Sequence, residues 1–360
     1  MSPIPILVSF MKFPDRIRDR AHIAALRGFV VCALLLGTSV AHGADHRFRL
    51  ATIAPKDSAF DESLKRMRQA WQKVSRGAVE LDIYSGSSQG GDAAIVQRMK
   101  IDQLQGALLT GVGLSEIEPT VAGLQSIPMM FRSLEEVDYI GEKLKPELEE
   151  RLRDKGFIVL FWTDTGWVRF FTKTPVITPS DMRKMKLFAW AGNNSQVGIM
   201  RKAGFNAVPL ETSDIKTSLQ TDLISAVPMP PLAANFGQIY GSAPNMLDLN
   251  WAPLIGAAVV TTKAWNRLPP ELQTALKAAA KGPGEEIKKA GRQQNDDAVK
   301  VMQTKGKLVV HPVPPSALAE WRQLAETVYP DIRGTIVPAA IFDRVKALLE
   351  EYRIQHPEQN

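Results

Sequence analysis

The sequence predicts an α/β protein built from two units that share a hinged cleft. Three observations carry the prediction. After residue 44 the chain alternates strand and helix patterns in the order β-α-β-α-β, as an open parallel sheet does. A second series of this kind starts near Gly156. Two later strand patterns, "NMLDLNW" and "LIGAAVVTT", lead back toward the first unit. Two α/β units joined by crossing strands form a hinged pair, and a ligand sits where strand ends face the gap.

Each element follows from its local pattern. The first unit opens with the strand "FRLATI", the loop "APKDS" and an amphipathic helix from Phe60 to about Val74. Next come the strand "VELDIYSG", the Gly-rich loop "SGSSQGGD", a helix over Ala93–Ile101 and the small-residue strand "GALLTG". The segment "GLQSIPMMFRSLEEVDYI" gives an apolar turn and a helix reaching about Lys155. The second unit begins with two strands, "GFIVLFWTD" and "WVRFFTKT", separated by a turn at Thr165–Gly166. "MKLFAW", a helix over Gln196–Ala203, "NAVPL", a helix over Thr212–Thr221 and "ISAVPMP" follow. A long helical region from Pro270 to about Lys305 should kink at Gly282–Gly284, because Pro283 lacks an N–H. The strand "KLVVHPV" and helices over Pro315–Val328 and Pro338–Tyr352 end the series. The organisation expected is a leader over 1–43, one unit over 44–165 with about 253–290, and the other over 166–252 with about 291–355.

The leader has its own signature. Arg16, Arg18, Arg20 and Arg27 precede the apolar run "GFVVCALLLGTSV" and the small residues "AHGA", the pattern of a secretory signal. As a helix, Phe29–Val40 reaches roughly 18 Å, against about 30 Å for a bilayer core. A removable signal peptide cut after Ala41 or Gly43 therefore fits better than an anchor; Met11 is an alternative start. Cys32, the one cysteine, lies in this leader without the small preceding residue of a lipoprotein signal. The mature chain then has no disulfide, thiol nucleophile or Cys-based metal site, and export points to a Gram-negative periplasm. The formal charge is +6, and the leader holds five basic and two acidic residues, leaving about +3. That is too little to argue for nucleic acid.

Catalytic patterns are missing. His46, His311 and His356 are far apart and form neither a metal spacing nor a triad. No G-x-S-x-G elbow occurs, and Ser115 in "GVGLSEIE" lacks the flanks. "SGSSQGGD" lacks the Lys-Ser/Thr end of a P-loop and reads as a loop at the lip of the cleft. The carboxylates of "EIEP" and "SLEEVDY" read as solvated helix faces. No enzyme activity, cofactor or metal is expected.

Aromatic residues say more. Trp162, Trp167, Phe170, Phe171, Phe188, Trp190 and Trp251 gather in the middle of the chain. Core packing is the ordinary explanation; an apolar ligand pocket with a few placed polar groups is the sharper one. Within "KMKLFAW", alternation puts Lys186, Phe188 and Trp190 on one strand face just before the polar loop "AGNNS".

The order of "FRLATIAPKDSAFDESLKRMRQAW", "IVQRMKIDQLQGALLTG", "LQSIPMMFRSLEEV", "GWVRFFTKTPVITPSDMRKMKLFAW", "SLQTDLISAV" and "AWNRLPPELQTAL" resembles DctP-type substrate-binding proteins of TRAP (tripartite ATP-independent periplasmic) transporters. The resemblance spans roughly Arg47 to Tyr352. It implies two α/β domains that close on a ligand, with a long helix spanning both. It also implies delivery of a small organic solute to TRAP integral membrane subunits, driven by ion gradients.

The family usually clamps a ligand carboxylate with an Arg two residues after the Lys of the "MKLFAW" strand, where this chain has Phe188. A second position, often polar in the family, falls at Met229. Arg169 matches another arginine that often reaches the ligand. An Arg fork gives a carboxylate two charge-assisted hydrogen bonds, and an anion desolvated without one costs several kcal/mol. A site built from Arg169, Phe188, Trp190, Met229, Trp167 and Trp251 should thus favour an apolar or amphiphilic solute, its head near Arg169. Met adapts to irregular apolar shapes. The structural alternatives are that Phe188 packs in the core and that Arg169 pairs with an acid such as Asp164. The functional alternatives are a carrier of lipid or hydrophobic metabolite working with a periplasmic accessory protein, a periplasmic hydrolase, and a sensor subunit docking on a receptor.

Overall fold

The computed structural model describes residues 45–191 and 194–357. The leader, with its signal-peptide reading, lies outside them.

Strand β1 (His46–Thr52) leads through the Ser58 cap, whose side chain accepts from the Asp61 N–H, into α1 (Ala59–Val74). Strand β2 (Val79–Tyr84) leads through the Gly-rich loop into α2 (Asp92–Lys100), and β3 (Gly106–Thr110) follows. α3 (Leu134–Asp154) is capped by Ser133. Strand β4 (Phe157–Thr172) then passes from one half of the molecule to the other. β5 (Lys186–Trp190), α4 (Asn194–Lys202), β6 (Asn206–Leu210) and β7 (Ala226–Met229) build the second half. β8 (Asn245–Thr261) returns, and α5 (Pro270–Gly306), β9 (Val309–Pro312), α6 (Pro315–Ile332) and α7 (Ala339–Gln355) complete the fold.

All nine strands form one sheet in the order β2-β1-β3-β8-β4-β7-β5-β6, with β9 also on β8. The β1–β2 and β1–β3 pairs are parallel, as are β5–β6, β5–β7 and β8–β9. β8 runs antiparallel to β3 and to β4, and β4 antiparallel to β7. Residues 256–260 of β8 pair with β3, whereas residues 245–248 pair with β9. β4 and β8 are therefore the two strands common to both halves.

The sequence expectations for β4 and β8 change here. The segments read as separate strands on either side of Thr165–Gly166 are one strand, as are "NMLDLNW" and "LIGAAVVTT". Their turn-like signals mark irregularities in the ladder, at Asp164/Trp167 and Val168/Phe170. A β-bulge absorbs the glycine without ending the strand. The long helix runs from Pro270 through Pro283 without a break; the ring leaves the Ala279 carbonyl without its N–H partner at that turn.

Candidate functional site

Sheet register decides which side chains meet. Arg169 faces Met229 across β4–β7. Leu187 faces Ala226 across β5–β7, which sets Trp190 beside Met229 three residues on. Phe170 faces Leu247, which sets Asp248 beside Arg169. Trp190, Met229, Arg169 and Asp248 thus form one row, on one face, at the ends of β5 and β7. Two residues further into the same face lie Phe188, Val227, Phe171 and Met246, all buried in one cluster with Ile215 and Leu219. Trp190 and Met229 are only partly buried against that cluster.

Phe188 is the deep member of the set. It is 8% exposed and belongs to the core beneath the row, so it supplies an apolar floor, while Trp190 and Met229 keep surface above it. Trp251 lies in a different cluster from the row: its ring meets Phe170 at 5.1 Å and Trp321 at 5.9 Å. Trp167 packs in the cluster of the β1–β3 half with Ile255, and its carbonyl accepts from Asn295 Nδ2. The structure brings together Arg169, Met229 and Trp190 over Phe188, and places Trp167 and Trp251 in other clusters.

Arg169 is mostly buried and forms an ion pair with Asp248. Burial pushes its guanidinium below the usual arginine range, with Asp296 of α5 pulling the other way. The acid that pairs with it is not Asp164. Asp164, 5% exposed in its side chain, takes Arg292 Nε at 2.7 Å, and Arg292 also reaches Asp138 at 2.6 Å. Asp248 escaped the sequence reading, although "NMLDLNW" carries its signal: a lone acid on the strand face that also holds Met246.

The first half has its own partly buried residues near its strand ends. Ile53 after β1 and Tyr84 at the end of β2 pack against the β1–β3 cluster, and so do Ile199 and Ala203 from α4 and its end. The Gly-rich loop is tied to β1, with Gly86 N–H donating to the Ala54 carbonyl at 2.8 Å and Ser87 N–H to that of Thr52 at 3.3 Å. Gly90 has φ of +95°, and a Cβ there would sit 2.8 Å from that of Ala94, so glycine is required. The loop delivers Asp92, whose carboxylate accepts from the Thr110 N–H and hydroxyl. Its Oδ1 has no partner among the described residues. Burial pushes this carboxyl up to about 6, against the pull of the Thr110 hydrogen bonds.

Candidate metal chemistry is answered locally. Asp57, Asp61 and Glu62 bring their carboxylates together, but Lys65 Nζ sits among them at 3.3, 2.9 and 2.6 Å. His311 Nε2 lies 2.8 Å from Asn245 Oδ1, and His356 stacks on Tyr352. The strand-end row offers one guanidinium with its partner carboxylate Asp248, an aromatic ring and a thioether, groups that can hold a small molecule.

The model of the bacterial extracellular solute-binding proteins, family 7, matches residues 50–334. The C4-dicarboxylate-binding periplasmic protein DctP of Rhodobacter capsulatus is 22% identical over 79% of this chain and 85% of its own length. Among solved structures, the sugar acid binding protein DctPAm of Advenella mimigardefordensis, in complex with galactonate, superposes with a TM-score of 0.78. It is 16% identical, over 85% of this chain and 98% of that one. A TRAP periplasmic solute binding protein from Desulfovibrio salexigens with bound orotic acid gives 0.76 at 16% identity, over 88% and 100%.

Proposed function

The chain belongs to the family 7 bacterial extracellular solute-binding proteins, the DctP-type receptors of TRAP transporters, and from that premise we propose that it captures an organic monocarboxylate with an apolar body. The row Trp190–Met229–Arg169 carries this reading. It holds one guanidinium, enough for one carboxylate, and next to it apolar surface that a second charge would have to desolvate. Relatives crystallised with galactonate and orotic acid support a carboxylate as the charged end; Phe188, Met229 and Trp190 support a body less polar than a sugar acid. The halves 44–165 with about 253–290, and 166–252 with about 291–355, close on the solute. The closed form hands it to integral membrane subunits of the transporter. The basic, apolar and small-residue pattern up to Gly43 supports export to the periplasm.

The test is calorimetry of the mature chain with a panel of solutes. Aromatic and branched aliphatic monocarboxylates should bind, and Arg169→Met should abolish their binding. Succinate should bind at least tenfold more weakly. Tight succinate binding indifferent to Arg169→Met would overturn the reading. Mass spectrometry of what an organic solvent extracts from the purified protein would give the ligand's mass directly.

A further inference from the structure

The row Asp248–Arg169–Met229–Trp190 crosses four neighbouring strands, β8, β4, β7 and β5, with both charges at one end and the apolar groups at the other. Neighbouring strands lie roughly 5 Å apart, so Met229 is about one spacing from Arg169 and Trp190 about two.

The charged end differs from that of a plain anion receptor. Asp248 meets Arg169 directly and forms no other ion pair among the described residues. Asp296 of α5 adds a second negative charge that acts on the same guanidinium. Arg169 Nε, shielded from water, has no acceptor among the described residues, so Asp248 does not saturate the guanidinium. A carboxylate arriving alone meets two difficulties here. If it displaces Asp248, that carboxylate loses its ion-pair partner. If it shares Arg169, two carboxylates crowd together and repel. A solute with a cation next to its carboxylate removes both, because each of its charges then finds an opposite one.

Resting on the reading that Arg169 receives the solute carboxylate, we propose that Asp248 is a specificity residue that receives an ammonium group, and that the solutes are α-amino acids with an apolar side chain. The carboxylate goes to Arg169, the ammonium to Asp248, and the side chain over Met229 toward Trp190, with Phe188 beneath. Both polar contacts are charge-assisted hydrogen bonds. Because Arg169 and Asp248 touch, they match charges carried on adjacent carbons. An amino acid with its ammonium at the far end would push that charge onto the apolar part of the row and pay its desolvation. For a plain monocarboxylate Asp248 is only a competitor, so one residue both attracts the right solute and penalises the wrong one.

Calorimetry of the mature chain, at neutral pH and fixed ionic strength, tests this with matched pairs. L-phenylalanine is compared with phenylpropionate and L-leucine with isocaproate, each acid lacking only the amino group. The amino acids should bind at least tenfold tighter, and γ-aminobutyrate should give no detectable heat. Asp248 is exposed, and Asp248→Asn keeps its shape. It should weaken the amino acids at least tenfold and tighten the plain acids, abolishing the preference. Wild type that binds the plain acids as tightly as the amino acids, with both lost in Arg169→Met, would overturn the proposal and leave the monocarboxylate reading standing. Binding of neither class would overturn both. A preference for amino acids that survives Asp248→Asn would give the ammonium to another acid and overturn the role of Asp248.

Discussion

If Arg169 receives the solute carboxylate as proposed, its ion pair with Asp248 sets the terms of binding. Asp248 already occupies the guanidinium, so an incoming carboxylate must displace or share it. Asp248→Asn keeps the shape and removes the competitor, and should tighten monocarboxylate binding about tenfold, or 1.4 kcal/mol. Unchanged affinity by calorimetry would mean that the solute does not use Arg169. Asp92 makes a separate prediction. Its folded pKa, about 6, lies above the ordinary aspartate value of 3.8. The folded state therefore binds the extra proton between these values, and the group's stabilising share, full below pH 4, is lost as pH rises through 6. The loss is on the order of 2 to 3 kcal/mol. Asp92→Asn should gain on wild type in urea midpoint between pH 4.5 and pH 7.5; parallel pH profiles would refute it. How much of the site could be read from sequence differs by residue. Alternation put Trp190 on a strand face just before a polar loop, whereas Arg169 and Met229 came from the resemblance to the family. Whether Phe188 packs in the core was left open, because its exposure depends on residues far along the chain, such as Ile215 and Leu219, which share its cluster.

At the level of elements, the sequence revealed the alternation and the long helices, missed short ones such as Gly111–Ser115 and Pro231–Phe236, and divided β4 and β8 at their irregular points. A glycine or proline inside a strand looks the same in sequence whether the chain turns or bulges; pairing partners decide, and those lie far away in the chain. The long helix α5 illustrates the converse. Its glycines resemble weak points, yet at Gly291, as at Gly284, the helix lies tight against its neighbours. A Cβ on Gly291 would lie 2.8 Å from Phe60 Cζ and 3.0 Å from the Asp164 carbonyl oxygen. Replacing an interior helical glycine with alanine ordinarily stabilises by about 1 kcal/mol. Overpacking costs about 1 to 3 kcal/mol, and one neighbour here is backbone that cannot swing aside. Gly291→Ala should therefore lower stability in chemical denaturation, whereas Gly282→Ala, with nothing within 4 Å, should not. A stabilised Gly291→Ala would show that helix and sheet have slack between them.

Across the whole molecule, β4 and β8 are the strands common to both halves, so closure of the kind proposed would concentrate where their ladder is already irregular. That place is Asp164–Phe170, opposite Leu247–Ile255. Gly166, with φ of +81°, lies inside it. Arg292 clamps one flank by joining α5 to Asp164 of β4 and Asp138 of α3. Removing it would strand the Asp164 carboxylate in a site where its side chain is 5% exposed. Breaking a buried pair from one side costs about 3 to 5 kcal/mol, so Arg292→Met should lose that much in urea unfolding and Asp164→Asn should restore most of it. The clamp and the row lie on the same stretch of β4, five residues apart in sequence, so solute capture and hinge position should be coupled. Small-angle scattering can read that coupling. A saturating monocarboxylate should reduce the radius of gyration of wild type and leave that of Arg169→Met unchanged at the same concentration. Identical scattering with and without a solute that calorimetry shows to be bound would mean that the halves are fixed, and that capture works by a preformed pocket instead of by closure.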